Sequence, residues 1–379
     1  SSVDDETLDA KLYENDPSQG RCYLVIKMKF LEEKLTEALD LFFRFLMTVN
    51  FSDTERLSNL AKENRNDLVP SIVSSGHDYA VLRTTRNFSR LKAIEEITSG
   101  LSSVIKAVKI AEEKPSDLAC YFEKLKNTIF NSGFLFNVVA EKSGIEKCKS
   151  YLEANVEKIK DKGFYFGGFK PKAKVTTQEF FDLTKIQGNP ENYETYVCET
   201  QVGYCAESFG CSSGGTKESV HESIYAHYLS NNVLWEKIRM AGGAYGVFAV
   251  NNALDGVFSL LTYRDPSPVK NAKILNEILQ KMEDFSISQE EFERLITGCF
   301  SREIQPKSPS ARGFSAFVRY AGGIPDSFKE QRVNWLLNAS VEDLRNAARR
   351  FAEKDLDAKT AIISSKNGES YGKIIDIVL

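Results

Sequence analysis

The residues with the clearest chemical potential lie in one short stretch, "RMAGGAYG". It begins with Arg239, in the last turn of an expected helix, and it reaches Tyr245, which opens an expected strand. A guanidinium and a phenol are both hydrogen-bond donors, so together they could hold a peptide carbonyl and the oxyanion that it becomes during hydrolysis. Because glycines allow close backbone approach, we expect the intervening turn to contact substrate through Gly242, Gly243 and Ala244.

The same stretch also has a purely structural interpretation. A glycine pair after a helix commonly ends it, and an arginine in the last turn complements the helix dipole. Residue types alone favour this interpretation of Arg239 and the two glycines over the clamp. The choice between the two interpretations therefore depends on the rest of the chain.

Other stretches resemble functional motifs but have the wrong spacing. His221 and His227 stand six positions apart in "HESIYAH". On a helix this turns the second histidine about 240° from the first, whereas zinc motifs place both on one face. In "GCSSGGTK", Thr216 precedes Lys217, although a phosphate loop needs lysine directly after its last glycine. His77 has no partner in the sequence that marks it as catalytic. We therefore predict no metal site in this chain.

Composition narrows the class of protein. The chain has 379 residues, of which 42% are hydrophobic and 27% charged, so it can bury a sizeable core in two or three domains. A net charge of -4, with Lys and Arg spread along the chain, leaves no broad basic surface for nucleic acid. The longest apolar-rich stretch is interrupted by Arg44 and is too short to span a bilayer, and the acidic start is no signal peptide. We therefore expect neither nucleic acid nor membrane as a partner, and no targeting segment.

Cysteine usage predicts the compartment. The seven cysteines are odd in number and show no CxxC spacing. Both features favour reduced thiols over a disulfide framework. We therefore expect a reducing intracellular compartment, either the cytoplasm or an organelle matrix.

The elements that must position these residues follow from periodicity and capping signals. A strand over Cys22–Phe30 leads into a helix, and a capping box of Ser52 and Glu55 opens a second helix, in which Pro70 predicts a kink or an early stop. Further helices precede a strand at "FLFNVVAE" and a helix over about 144–160.

A glycine-rich segment without periodicity, residues 161–175, predicts a linker to a second unit. That unit begins with strands in "YETYVCETQVGYCAESF" and continues with a helix over Thr216–Met240, which we expect to break at Asn231 and Asn232. Its remaining expected elements are the strands "YGVFAV" and "GVFSLLTYR", a helix over Pro268–Phe285, a capping-box helix from Ser288 with Glu291, a helix from Ser340 and the strand "TAIISS". Strands in hairpins and helices in runs predict an α+β fold in each unit.

One group of motifs resembles a known family. "LWEKIRMAGGAYGVFA" followed by "DGVFSLLTYRDP" resembles the fourth domain of the pitrilysin-type zinc metallopeptidases of the insulinase superfamily, in particular the presequence protease and falcilysin branch. The likeness extends to "QVGYC", the "QPKSPSARG" loop and the helix from Ser340. The region from "LEEKLTEALD" to "HDYAVLR" is similar to the third domain of that branch. The resemblance covers nearly the whole chain from Cys22 onward, and its most specific part runs from Arg239 to Tyr245.

The resemblance implies an α+β fold of two related pitrilysin/LuxS-like metallohydrolase-type domains, with antiparallel-rich sheets covered by helices. Residues 1–160 would form a partial third domain, the peptidase-associated region, truncated at its N-terminal side. Residues 161–175 would be a linker, and residues 176–379 the fourth, substrate-clamping domain. The chain would be a C-terminal fragment, or a separately made half, of a longer protein.

The family also implies a function. Its four domains pair into two bowl-shaped halves that close around an unfolded peptide, and the N-terminal half carries an HxxEH zinc motif whose glutamate activates a water. The C-terminal half lends an arginine and a tyrosine that hold substrate beside the metal, roles that Arg239 and Tyr245 would take. This chain has no HxxEH. We therefore expect half of a zinc metalloendopeptidase for short unfolded peptides, which needs the zinc-bearing N-terminal half of the same protein as its partner and is inactive alone.

Two alternatives stay open. The superfamily also contains non-catalytic scaffold or substrate-binding subunits, of the processing peptidase and respiratory-core types. The presence of both Arg239 and Tyr245 argues against a pure scaffold. The other alternative is a peptide-binding module that uses a sheet edge without a catalytic half.

Overall fold

The computed structural model describes residues 2–8, 21–130, 136–160, 191–282, 285–321, 324–325, 327–353, 356–365 and 368–377. The predicted linker at 161–175 lies outside these residues, so the division into two units at that point stays a prediction. No described helix is long and apolar enough to cross a membrane. Six cysteines are described as free thiols: Cys120, Cys148, Cys198, Cys205, Cys211 and Cys299.

The first part of the chain is mostly helical. It contains the antiparallel strands β1 (Ser2–Leu8) and β2 (Arg21–Lys27), followed by α1 (Leu35–Thr48), α2 (Thr54–Thr85), α3 (Arg90–Ser99), α4 (Leu101–Glu112), α5 (Pro115–Phe130) and α6 (Lys142–Lys160). The predicted first strand and the predicted helix near 144–160 are confirmed by β2 and α6. The predicted strand at "FLFNVVAE" is wrong over residues 136–139, which form no strand. There Val139 lies against Gly313, and residues 136–139 take no part in the two sheets of the described residues.

The second part contains a six-stranded sheet. Its strands are β3 (Tyr193–Cys198), β4 (Tyr204–Gly210), β5 (Gly246–Asn252), β6 (Val257–Tyr263), β7 (Lys359–Ser365) and β8 (Lys373–Asp376). They lie in the order β5-β6-β4-β7-β3-β8. β3 runs parallel to β7 and β8, and the other neighbours are antiparallel. The mixed sheet with its helices confirms the predicted α+β class.

The helices of the second part are α7 (Lys217–Tyr228), α8 (Pro268–Ile278), α9 (Gln289–Glu303), α10 (Pro309–Ala321), α11 (Ser327–Leu337) and α12 (Val341–Glu353). The predicted capping box at α9 is confirmed, because Ser288 and Glu291 each accept the other's backbone N–H. The predicted capping box at α2 is wrong. There Asp53, and not Ser52, caps the helix by accepting the N–H of Arg56 at 2.9 Å.

Helix α2 bends where it crosses the sheet. Pro70 lies inside α2, and the backbone departs from helical geometry at Ser75, in a Ser-Gly pair of the kind that bends helices. Gly76 lies so close to the Tyr204 ring that a Cβ at this position would overlap it. The bend leaves the carbonyl of Val73 free to accept the Tyr204 hydroxyl. The helix therefore continues through Pro70, where a kink or an early stop was predicted, and bends five residues later at Ser75.

Hydrophobic residues cover both faces of the sheet. One face packs against α7, α8 and α12, with Phe209 and Phe258 stacked at 5.4 Å between ring centroids. The other face packs against α2 and α4, where Ile72 and Leu101 meet Tyr204 and Ile363. The helices of the first part thus share one hydrophobic core with the sheet of the second.

A buried group of charges also joins these parts. Arg83 and Arg86, the first on α2 and the second directly after it, donate to the carboxylate of Glu194 on β3 at 2.9–3.3 Å. Glu96 accepts from Arg83 at 3.2 Å, and Tyr196 donates its hydroxyl to Glu194 at 3.2 Å. We call these five residues the arginine–glutamate cluster. Each carboxylate is paired, as burial of charge requires.

Candidate functional site

The helix that carries Arg239 changes its winding before it reaches the site. α7 continues into two π-helical segments, Leu229–Val233 and Trp235–Met240. The predicted break at Asn231 and Asn232 falls in the first segment, where the chain stays helical but widens its turns. In the second segment the N–H of Ala241 reaches back to the carbonyl of Glu236 at 3.1 Å. π-helical turns are rare in proteins, and those that occur are frequently found at functional sites.

The glycine turn ends this helix. Gly243 has φ = 79°, in the left-handed region that favours glycine. Its N–H donates to the carbonyl of Arg239 at 3.2 Å, and the N–H of Ala244 donates to that of Ile238 at 3.4 Å. In each bond the carbonyl lies one residue further back along the chain than in a Schellman motif, in keeping with the wider turns of the π-helix before it. At Gly242 a Cβ would lie 2.5 Å from the carbonyl oxygen of Ile238. Both glycines are therefore required by the conformation of the turn.

The turn brings Arg239 and Tyr245 together. The Arg239 Cζ lies 3.9 Å from the centroid of the Trp235 ring and 5.9 Å from that of Tyr245. Tyr245 is 67% exposed and Trp235 41% exposed. No carboxylate is paired with the Arg239 guanidinium among the residues that the structure describes. The site thus presents a stacked guanidinium and an exposed phenol side by side.

The three turn residues have different surroundings. Ala244 is buried, Gly242 is partly buried and Gly243 is exposed. The N–H groups of Gly243 and Ala244 are engaged in ending the helix. The side chains of Arg239 and Tyr245 contribute the other hydrogen-bond donors of this turn. Substrate contact by the turn residues stays a prediction.

Sequence reasoning missed the rings that pack beneath Tyr245, namely Tyr263, His77 and Tyr204, which we call the aromatic base. The Tyr245 ring meets Tyr263 edge to face at 6.0 Å, and Tyr263 meets His77 edge to face at 4.8 Å. His77 also stacks on Tyr204 at 6.3 Å. It comes from the bend of α2, far from Tyr245 along the chain, so nothing local marked it. Tyr263 lies within the quoted "TYRDP", where its residue type alone carried no chemical signal.

Arg264, next to Tyr263, was missed as well. Its backbone carbonyl accepts the N–H of Tyr245 at 3.2 Å, and its Cζ lies 5.4 Å from the Tyr263 ring centroid. It has φ = 47°, and no other non-glycine residue in the described ranges has positive φ. The site therefore contains a second guanidinium, on an exposed residue with a strained backbone.

The two histidines of α7 contact different neighbours. His221 is buried with its Nδ1 3.6 Å from a carboxylate oxygen of Asp343, and burial lowers its pKa despite that neighbour. His227 bonds the side chain of Asn231 and lies against Gly298, and burial lowers its pKa too. Within the described residues, no group of three or more His, Cys, Asp or Glu side chains could hold a metal ion.

The "GCSSGGTK" loop makes its bonds within the protein. Ser212 donates its N–H and its hydroxyl to Glu222 at 2.9 and 2.7 Å. Thr216 caps α7 by accepting the N–H of Ser219 at 3.3 Å. The loop therefore forms a turn before the helix.

Comparisons with known proteins bear on the family of the chain. A family model described as the PreP C-terminal domain matches residues 193–366, and a second model, described as associated with M16 peptidases of subfamily C, matches residues 8–109. Together with the curated relatives below, these two matches support a C-terminal half of an M16 peptidase. Several curated relatives bear the presequence protease name, as the motifs indicated.

Curated relatives are longer than this chain. Protein HypA of Clostridium perfringens is 27% identical over 87% of this chain and 32% of its own length. Presequence protease 1 of Arabidopsis thaliana, chloroplastic/mitochondrial, is 23% identical over 91% of this chain and 31% of its own length. The chain thus spans about a third of the length of these relatives.

A solved structure supports the fold. The crystal structure of an M16-like peptidase from Alicyclobacillus acidocaldarius matches with a TM-score of 0.50 at 11% identity, over 96% of this chain and 80% of that one. This likeness concerns the fold alone.

Proposed function

We propose that the chain is the substrate-clamping half of a zinc metalloendopeptidase that degrades short unfolded peptides in a closed chamber. Arg239 and Tyr245 hold the carbonyl of the bond to be cleaved and stabilise the oxyanion. The observation that supports this role is their adjacency, because an exposed phenol lies beside a guanidinium with no carboxylate partner among the described residues.

The geometry suits oxyanion stabilisation. A guanidinium stacked on the Trp235 ring keeps its N–H donors in the plane of the group, where an oxyanion can reach them. The phenol of Tyr245 adds a neutral O–H donor. The glycine turn fixes the backbone between the two, so little reorganisation is needed when charge develops.

The catalytic zinc of the proposed enzyme would bind outside this chain. The sequence has no HxxEH, and the described residues offer no cluster that fits a metal. We therefore place zinc in the N-terminal half of the same protein, which is the partner of this chain beside its peptide substrates. A reducing organelle matrix is supported by the relatives named as mitochondrial or chloroplastic.

The test uses the full-length enzyme and a quenched peptide. Arg239→Ala and Tyr245→Phe should each lower kcat by roughly 10²-fold, the effect of losing one oxyanion donor, with zinc content and unfolding midpoint unchanged. Lys237→Ala is the matched control, since Lys237 is an exposed cation on the same π-helical segment. Wild-type kcat in both site variants would contradict the clamp and leave the structural interpretation of the turn.

A second measurement separates an enzyme half from a scaffold. The 379-residue chain alone should show no chelator-sensitive peptidase activity, and activity should appear when it is mixed with its N-terminal half. Clear turnover by the isolated chain would contradict the proposal. Halves that associate without activity would instead support the scaffold.

A further inference from the structure

Arg264 occupies a backbone position that arginine rarely adopts. Its φ of 47° lies in the left-handed region, where a side chain is strained and glycine or asparagine is preferred. Hydrogen bonds on both sides hold it there. Its carbonyl binds the N–H of Tyr245, and the next residue, Asp265, exchanges two backbone bonds with Gly203 at 2.7 and 2.8 Å. Such strain persists where the surroundings impose it, and it is concentrated at ligand-binding sites.

The side chain of Arg264 has aromatic neighbours. Its guanidinium lies over Tyr263 and close to the phenol of Tyr204, whose pKa is raised by burial and, to a lesser extent, by Tyr263, while Arg264 opposes the rise. In the described part of the chain no carboxylate pairs with Arg264. The adjacent carboxyl of Asp265 is fully buried and accepts instead from Ser267. The guanidinium is therefore available to a ligand.

We propose that Arg264 binds a carboxylate of the peptide substrate, from an acidic side chain or from the C-terminus. This inference rests on the proposed function, since it adds a specificity-determining residue to the same site. The guanidinium fork matches a carboxylate with two parallel hydrogen bonds, which a single peptide carbonyl cannot supply.

Distances along the aromatic base set where that carboxylate falls. The Tyr263 ring centroid lies 6.0 Å from that of Tyr245 and 5.4 Å from the Arg264 Cζ. An extended peptide advances about 3.3 Å per residue. The Tyr245 ring and the Arg264 Cζ are therefore no more than about 11 Å apart, the length of about three to four extended residues, so we place the carboxylate a few residues from the bond held at Tyr245.

The experiment compares matched peptides on the full-length enzyme. One set carries Glu or Gln at single positions around the cleaved bond, and the other ends in a free acid or an amide. Arg264→Asn removes the charge and keeps a residue that tolerates the left-handed region. It should raise KM about tenfold or more for the carboxylate-bearing peptide, with kcat within about twofold, and abolish the preference over its neutral match. Arg264→Lys should retain part of that preference.

The two peptide sets identify the source of the carboxylate. Lys270→Asn, which removes an exposed cation six positions further along the chain, is the control. An equal rise in KM for charged and neutral peptides in both sets would overturn the proposal.

A binding measurement keeps this test separate from that of the clamp. Anisotropy of labelled Glu and Gln peptides on the 379-residue chain should show the same preference in wild type and in Arg239→Ala, and its loss in Arg264→Asn. If Arg239→Ala keeps full kcat while Arg264→Asn loses the preference, the clamp fails and the carboxylate site stands. No preference in the wild-type chain or in the enzyme would overturn the site.

Discussion

Two pairs of arginines, towards opposite edges of the six-stranded sheet, have different surroundings. Arg83 and Arg86 are directed at the buried carboxylate of Glu194, and their charge holds α2 to β3. Arg239 and Arg264 lie over aromatic rings at the β5 and β6 edge, with no carboxylate partner among the described residues. A guanidinium that pairs with a carboxylate joins two elements of the fold. A guanidinium stacked on a ring keeps its N–H groups available to a ligand. The comparison predicts opposite phenotypes for the two pairs.

The largest effect is expected at the arginine–glutamate cluster. Glu194→Gln should lower the free energy of unfolding by about 3–5 kcal/mol, because it removes the carboxylate that faces the buried guanidinium of Arg86 and one of the two carboxylates that pair with Arg83. Arg239→Ala should change the same quantity by less than about 0.5 kcal/mol. Chemical denaturation of both variants is the measurement. Comparable losses of unfolding free energy in the two variants would contradict different roles for the two pairs of arginines.

The contribution of the Glu194 ion pairs to stability should depend on pH in a defined direction. Burial pushes the pKa of Glu194 upward, but its bonds to Arg83 and Arg86 outweigh burial and lower it. A lowered pKa contributes stability that is present above the usual carboxyl pKa and is lost as pH falls through the folded value.

Glu207 is a buried acid that pairs with no arginine among the described residues. Burial raises its pKa to about 8, and the amide of Asn276, which donates to it at 2.6 Å, only partly offsets this. The unfolded chain ionises Glu207 near its usual pKa while the folded chain keeps it protonated. Stability should therefore fall as pH rises from about 5 to 8 and then level off.

Glu207→Gln should remove that slope. The variant should be more stable than wild type by a few kcal/mol at pH 8–9 and similar to it at pH 5. Thermal unfolding across this pH range is the measurement, and an unchanged slope in the variant would assign the pH dependence to other groups.

A smaller effect is expected at the glycine turn. Gly242→Ala should cost about 1–3 kcal/mol, because the added Cβ meets the carbonyl of Ile238 and the amide of Asn271. Gly243→Ala should cost about 1–2 kcal/mol through its left-handed φ alone. Gly210→Ala is the matched control, since a Cβ there meets no atom within 4 Å. If Gly210→Ala were as destabilising as the other two, the turn would have no special geometry.

The features that could be predicted from the sequence are those that depend on residues close together in the chain. Arg239 and Tyr245 are six residues apart, so a glycine turn was enough to predict their adjacency. The capping box of Ser288 and Glu291 depends only on neighbouring residues, and it is confirmed. The one at Ser52 was wrong because Asp53, one residue later, provides the stronger acceptor.

Long-range contacts could not be predicted in this way. His77 reaches Tyr263 only because α2 bends at Ser75 and crosses the sheet. The left-handed backbone of Arg264 results from bonds to segments that are distant in sequence. A single sequence contains no signal for either, since both depend on which elements pack together.

Because the segment before the glycine turn is π-helical, the direction in which the Arg239 side chain points depends on the number of residues in that segment. Each residue of an ordinary helix turns the chain by about 100°, and a wider turn accommodates one residue more than an α-helical turn. Loss of a single residue from Trp235–Met240 would restore ordinary winding and rotate the guanidinium by about that angle, away from Tyr245. Homologous chains that differ in length here would therefore differ in the site itself, even with every side chain of the pair retained.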